Sequence, residues 1–477
     1  MSEHIRKFTK PIKEESVLRT ITKRTYIVVF LVLAFFAGLG LMLYSFYTNG
    51  GTWASNRANS HIYSGGELTV AGTIYDRNGE ALVSTNRNER VYHEDKNTRL
   101  GTLHVIGDSQ GFISTGIQTL YRAELIGYNF IDGIYKTISS DEGCDIKLTI
   151  DADISAAAYK AMNGNKGTVL VYNYKTGEVV CMVSAPTYDV YNKPTDIDTN
   201  TSGKYDGIYI NRALTGVFTP GSTFKVVTAV CAIENIPDIY ERTFTCKGKY
   251  TTGKGKGNGD VICNGTHGKV NFERALNVSC NSVFAQLAIE LGADKLTQTV
   301  RDLGFGKSIS LGKVNTVKST FSLSGSTNLD IGWAGIGQYT TLVNPCQMLM
   351  FMGAIANEGQ AITPYIVSSP SDLLSSVTSP VSSNITLSTE TANKVRKLLR
   401  SNVKNYYGDS KFPGLQMCGK TGSAEVSNGK SHAWFTGFSA KDDLPYAIVV
   451  CLENGGLGYT HAIPVANKVM QAVAKAN

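Results

Sequence analysis

From Tyr26 to Tyr47 the chain runs 22 residues without a charge, and the rest of the chain has no second apolar stretch of that length. A helix rising about 1.5 Å per residue crosses the roughly 30 Å hydrocarbon core of a bilayer within that length. The apolar core of a cleaved signal peptide is shorter, about 7–15 residues. This stretch also ends on Tyr44, Phe46 and Tyr47, aromatics of the kind that sit at a membrane interface. An uncleaved transmembrane anchor is therefore predicted over 26–47. Beyond it, residues 49–140 are mixed and rich in Gly and Asn. Short β-like runs at Glu67–Ile74 and Glu89–His93 are split by the turn Asp76-Arg77-Asn78-Gly79, which predicts a small, partly extended module.

A longer pattern starts near Asp145. Ile146–Ile150 alternates as a strand, and Asp151 is a candidate N-cap for a helix over Ala152–Met162. Two apolar strands, Gly167–Tyr172 and Glu178–Ser184, are joined by a hairpin turn in which Gly177 serves a positive φ. After Pro220-Gly221 comes a nearly all-apolar buried helix, with helices also predicted over Phe272–Gly292 and Pro345–Asn357. Three strands are predicted towards the C-terminus, around Lys420, over Ala433–Phe438 and over Tyr446–Glu453. A helix over Pro464–Ala474 covers one face of their sheet. The expected body is an antiparallel sheet beside a helical lobe.

Length and charge refine this picture. The 477 residues exceed one average domain. The predicted organisation is a tail (1–25), the anchor (26–47), a membrane-proximal domain (48–144) and a large domain (145–477). Of the net charge of +7, the first 25 residues carry seven Lys/Arg against three acids. Basic residues before an anchor keep that end in the cytoplasm, so everything after about Gly50 is expected outside the membrane. No basic stripe with interleaved aromatics points to nucleic acid.

Three short motifs carry candidate chemistry, in chain order: Ser222-Thr223-Phe224-Lys225, Ser279-Cys280-Asn281 and Lys420-Thr421-Gly422. Together they are the parts of an acyl-transfer site: a serine nucleophile with a lysine one turn away, a second hydroxyl with an amide, and a cation on a strand. None is specific alone. Ser-x-x-Lys recurs at Ser310, Ser401 and Ser427, Ser-x-Asn at Ser326 and Ser382 among others, and Lys-Thr-Gly at Lys175. Context selects among them. The copies at Ser310 and Ser427 fall in Gly/Ser/Asn-rich turns, Ser401 comes after a helix end, and Lys175 sits in the hairpin turn. Ser222 and Lys225 open a buried helix, where i and i+3 share a face and a desolvated Lys acts as a neutral base.

These motifs resemble the penicillin-binding transpeptidase family, over about Ala71 to the C-terminus. Gly72-Thr73-Ile74-Tyr75-Asp76-Arg77-Asn78-Gly79 is similar to the family's membrane-proximal signature, and Leu148-Thr149-Ile150-Asp151 to the start of its transpeptidase domain. Gly337-Gln338, Asn344-Pro345, Ala356-Asn357-Glu358-Gly359 and His432–Phe438 match further stretches. One anchor and only about 100 residues before the large domain resemble class B members, which lack a glycan-polymerising domain.

The resemblance implies an α+β penicillin-binding transpeptidase fold on a reduced pedestal. It implies a serine D,D-transpeptidase that crosslinks peptidoglycan stem peptides ending in D-Ala-D-Ala, is trapped by β-lactams, and partners a polytopic glycan polymerase of the shape, elongation, division and sporulation family. Ser222 would be the nucleophile, Lys225 the base and Ser279 a proton relay. Asn281 would hold the substrate amide, Lys420 the carboxylate with Thr421 and Ser423, and the backbone of Ser222 and Ser423 the oxyanion. The competing readings are a D,D-carboxypeptidase or β-lactamase, and a non-catalytic scaffold or β-lactam sensor. Departures from the pattern are Ala71 for Arg, Ser423 for Thr, and Cys280 at the centre of the second motif.

The nine cysteines cannot all pair internally. Cys246 and Cys263 flank a Lys/Gly-rich loop with His267 four residues later, and with Cys280 they offer the ligand types and number for a tetrahedral Zn²⁺. A Cys246–Cys263 disulfide and unpaired thiols are the alternatives. Catalysis itself requires no cofactor.

Overall fold

The computed structural model describes residues 14–477 apart from positions 57, 61, 65–66, 88, 132, 135–142, 370–384 and 428. Most of the expected cytoplasmic tail, Ser382, and Asn428 of the turn after the Lys420 strand lie outside the described residues. The apolar run forms part of one helix, α1 (Glu14–Ala54), longer than predicted at both ends. None of its most apolar window is buried by the rest of the chain. Towards its far end the Phe46 and Tyr47 rings meet Phe130 with centroids 5.6 and 5.8 Å apart.

The membrane-proximal region is built on β1 (Ile74–Tyr75), β2 (Ala81–Asn86), β3 (Glu89–Tyr92) and β4 (Ile146–Leu148). With Val367–Ser369 they form a five-stranded sheet in the order 367–369, β4, β1, β2, β3. Strand β1 lies parallel to β4, with Ile74 opposite Ile146, so this sheet crosses the boundary expected near residue 144. The run expected over Glu67–Ile74 is two pieces: Glu67–Leu68 pairs with Tyr63–Ser64, while Ile74 belongs to the larger sheet. The Asp76–Gly79 turn forms because Asp76 Oδ1 accepts from the N–H groups of Asn78 and Glu80 at 2.7 and 2.8 Å.

The large domain centres on β5 (Gly167–Asn173), β6 (Val179–Ala185), β7 (Met417–Ala424), β8 (His432–Ser439) and β9 (Tyr446–Leu452), antiparallel in the order β7-β8-β9-β5-β6. Every residue of β5, β6 and β9 is buried, so the sheet is covered on both faces. Its longer helices are α2 (Ala152–Met162), α3 (Lys225–Asn235), α4 (Asn281–Asp302), α5 (Pro345–Ala356), α6 (Thr389–Ser401) and α7 (Gly458–Ala476). Strand alternation divides the side chains. Val169 and Val171 join Phe435, Ile448 and Val450 under α2 and α7. Leu170 and Tyr172 join Trp434, Val449 and the Met348–Ile355 stretch of α5.

Asp151 caps α2 as expected, accepting from Ile154 N–H. Helix α7 starts six residues before Pro464, not at it, and carries that proline inside. The helix predicted over Phe272–Gly292 is two. One spans Phe272–Asn277, and α4 begins at Asn281. The break is Ser279, at φ 55°, and Cys280, extended at φ −64° and ψ 109°. Hydrophobic periodicity does not register the break, because Ala275, Leu276, Val283 and Phe284 on either side enter one core.

Candidate active site

Gly221–Thr223 form a single 3₁₀ turn ahead of α3, which places Ser222 and Lys225 on one side of the helix entrance. Lys225 is completely buried. Its Nζ lies 3.1 Å from Ser222 Oγ and 3.1 Å from Ser279 Oγ, and 2.6 Å from both the Ser279 carbonyl oxygen and Asn281 Oδ1. The left-handed Ser279 turns its carbonyl and hydroxyl towards the lysine together. Asn281 faces the lysine with its oxygen because its amide nitrogen donates to Ile262 O at 2.8 Å. The first two motifs therefore meet on one amine.

Burial lowers the Lys225 pKa well below its usual value, and the like charge of Lys420 lowers it further. An amine in its neutral form has two N–H donors and one lone pair. The two acceptor-only oxygens at 2.6 Å use both donors, which leaves the lone pair for a hydroxyl. Ser222 Oγ and Ser279 Oγ are the hydroxyls in reach.

Lys420 sits on β7, the edge strand, only 1% exposed, and burial brings its pKa to about 7. Its Nζ donates to Thr421 O at 3.1 Å. The edge strand packs tightly on the Ser222 turn: a Cβ on Gly422 would lie 2.6 Å from Pro220 O. Ser222, Ser279, Asn281, Thr421 and Ser423 are all partly exposed, while both lysines lie beneath them. Hydroxyls and amide thus line the opening, and the amines form its floor.

Two residues that no short motif marks hold this edge. Tyr407 Oη lies 2.8 Å from Thr421 Oγ1 and accepts from Thr421 N–H at 3.0 Å. Asn402 Nδ2 donates to Gly419 O at 2.7 Å. Both lie in a π-helical stretch, Asn402–Gly408, that continues α6. Ser423 Oγ accepts from Gly458 N–H at 3.1 Å, which ties β7 to the start of α7. Cys418 shares the Lys420 face but is fully buried in the core. All nine cysteines are unpaired. Cys246, Cys263, His267 and Cys280 come together directly behind the second motif, with their ligand atoms within 4.8 Å of one another.

A two-faced antiparallel sheet whose edge strand closes a buried Ser-x-x-Lys helix entrance defines a serine acyltransferase of the penicillin-recognising class. The family model for the penicillin binding protein transpeptidase domain matches residues 167–473. The chain belongs to this family, and among the curated relatives it resembles are proteins named as peptidoglycan D,D-transpeptidases. Peptidoglycan D,D-transpeptidase PbpA of Mycolicibacterium smegmatis is 27% identical over 379 residues, which cover 73% of this chain and 76% of the relative. Stage V sporulation protein D of Bacillus subtilis is 27% identical over 413 residues, covering 77% and 62%. Among solved structures, the D,D-transpeptidase domain of a peptidoglycan glycosyltransferase from Eggerthella lenta superposes with a TM-score of 0.71 at 28% identity, over 85% of this chain and 98% of that one. Penicillin-binding protein A from M. tuberculosis, solved as a ceftriaxone acyl-enzyme, shares the fold with a TM-score of 0.73 at 23% identity, over 84% and 98%.

Proposed function

We propose that the chain crosslinks peptidoglycan by acyl transfer through Ser222. Lys225 takes the Ser222 proton as Oγ attacks the carbonyl of the penultimate D-Ala of a stem peptide. The tetrahedral oxyanion is held by the backbone N–H groups of Ser222 and Ser423, and removing one such donor typically costs about 10²–10³ in rate. Ser279 relays the proton to the departing D-Ala amine. The Ser222 ester then yields to an amine of a neighbouring stem peptide, which forms the new amide and regenerates the hydroxyl. Asn281 holds the substrate amide. Lys420 holds the terminal carboxylate, with Thr421 and Ser423 beside it. A β-lactam enters by the same attack and leaves Ser222 acylated.

The observation that carries this reading is the Lys225 amine, buried, depressed in pKa and 3.1 Å from Ser222 Oγ. The exposed apolar face of α1 supports a single-pass anchor. With the basic residues ahead of it, the N-terminus is cytoplasmic and residues 48–144 act as a pedestal for a transpeptidase domain over 145–477. Its partner in this reading is a polytopic membrane glycan polymerase, which makes the strands whose stem peptides are joined.

Labelling with fluorescent penicillin is the test. Wild type is expected to label stoichiometrically and slowly lose the label, whereas Ser222→Ala takes none. Absence of label on wild type would leave a scaffold. Fast turnover of the label would make the protein a β-lactamase-like hydrolase.

A further inference from the structure

Residues 246–268 contain seven glycines, and apart from the two cysteines only Thr252 and Val261 among them are buried. Such a segment has too little apolar surface to fix its own shape, yet it folds into a defined pair of hairpins. Thr243–Cys246 pairs with Gly268–Asn271, and Lys249–Thr251 pairs with Asp260–Ile262. The hairpins converge on Cys246, Cys263 and His267, and Cys280, the extended residue just before α4, completes the group.

The geometry points to a tetrahedral zinc site formed by these four side chains, which clamps the Ser279-Cys280-Asn281 motif against Lys225. Two thiolates at about 2.3 Å from a tetrahedral zinc lie about 3.8 Å apart, and a thiolate and an imidazole nitrogen about 3.6 Å. Cys263 Sγ is 3.7 Å from Cys280 Sγ and 3.5 Å from His267 Nδ1. A disulfide would require a sulfur separation of about 2.05 Å. Three thiolates and one imidazole suit zinc, whereas magnesium and calcium take oxygen ligands. The outer contacts fit a ligated thiolate: Asn281 N–H donates to Cys263 Sγ at 3.2 Å, and Ser282 Oγ lies 3.5 Å from Cys246 Sγ.

The site grips the second motif from both sides. Cys280 is covalently between Ser279 and Asn281. Cys263 receives the Asn281 backbone N–H, and its neighbour Ile262 receives the Asn281 side-chain amide. Ser279 is held at φ 55°, a conformation costly for a serine unless its surroundings impose it. Zinc takes no part in bond making. It fixes the two residues whose oxygens orient Lys225. This positioning role rests on Ser222 acyl transfer being the function, whereas the metal site does not.

The test uses the full chain in detergent, purified without chelators. Elemental analysis is expected to find one zinc per chain. Exchange with Co²⁺ is expected to give the visible absorption of four-coordinate cobalt with a thiolate charge-transfer band. Removal of zinc by a strong chelator should slow fluorescent-penicillin acylation about tenfold or more, and zinc alone should restore it. His267→Asn, on the solvent side of the cluster, should weaken metal retention with the same loss. Zinc near zero together with no cobalt spectrum overturns the site, as does a denatured, non-reduced thiol count of about seven, the number left by one disulfide. Zinc bound but acylation unchanged by its removal overturns the clamp. A zinc-loaded wild type that never acylates would sustain the metal site and overturn the acyl-transfer function instead.

Discussion

Lys420 is a cation that the fold holds against its own solvation. Burial brings its pKa from 10.5 to about 7, so between those values the unfolded chain binds a proton the folded chain does not. Stability contributed by this site therefore rises with pH through that interval, and the penalty is complete below about pH 7. Lys420→Met keeps the volume and removes the charge. It is expected to stabilise the protein by about 2–4 kcal/mol near pH 6, with the gain shrinking as pH approaches 10.5, while β-lactam capture is lost. Denaturant melts of both proteins across that range check this, and a pH-independent difference would refute it. The same ionisation shapes kinetics. If Lys420 must be charged to meet a carboxylate, the second-order acylation constant falls on the alkaline side of about pH 7, and Lys420→Arg removes that limb because its guanidinium stays protonated. Tyr407→Phe deletes the hydroxyl that both bonds Thr421 and receives its N–H. A loss of about 1 kcal/mol, or roughly fivefold in acylation, is expected, read directly from labelling time courses. Ser222 and Lys225 were legible in the sequence because one helical turn joins them. Tyr407 was not, because its tie to Thr421 exists only once a π-helical segment has packed along β7.

Among the elements, the break before α4 shows where pattern reading stops. The apolar spacing from Phe272 to Gly292 is helical throughout, yet the chain leaves the helix at Ser279 so that one residue can aim two oxygens at Lys225. A second such junction lies behind Ser222. Gly337 sits at φ 81°, its carbonyl accepts from Gly221 N–H at 2.9 Å, and a Cβ there would come within 2.1 Å of Gly221 O. Gly337→Ala meets backbone on one side and a left-handed φ on the other, so neither the residue nor its neighbour has an inexpensive adjustment. A destabilisation of about 2–5 kcal/mol is expected, with loss of acylation because the Ser222 turn is displaced. Gly325, at φ 71° with open space around it, is the control. Its change to Ala should cost only about 1 kcal/mol. Thermal melts of the two variants separate the contact from the backbone strain, and equal costs would show that Gly337 is not tightly packed in solution.

At the scale of the whole molecule, helix α1, the membrane-proximal sheet and the large domain form a single line of contact. Helix α1 ends on Phe130, and the pedestal shares its sheet with β4 and Val367–Ser369. The parallel pairing of Ile74 with Ile146 was not legible in the sequence, because it joins short strands far apart along the chain. The long apolar helix was, because 22 uncharged residues run without a break. On which side of the membrane the large domain lies can be read from one thiol. Of nine cysteines only Cys144 is exposed; the other eight are buried. It lies well past the anchor, next to the start of β4 in the pedestal sheet. With a cytoplasmic N-terminus, Cys144 faces the exterior, so a membrane-impermeant maleimide should label intact protoplasts at about one site per chain, and Cys144→Ser should abolish the label. Inside-out vesicles should remain unlabelled until the membrane is opened. Labelling only after permeabilisation would reverse the orientation. It would also leave the Ser222 cleft on the side of the membrane where no crosslinked wall exists, so this experiment bears on the substrate as well as on the topology.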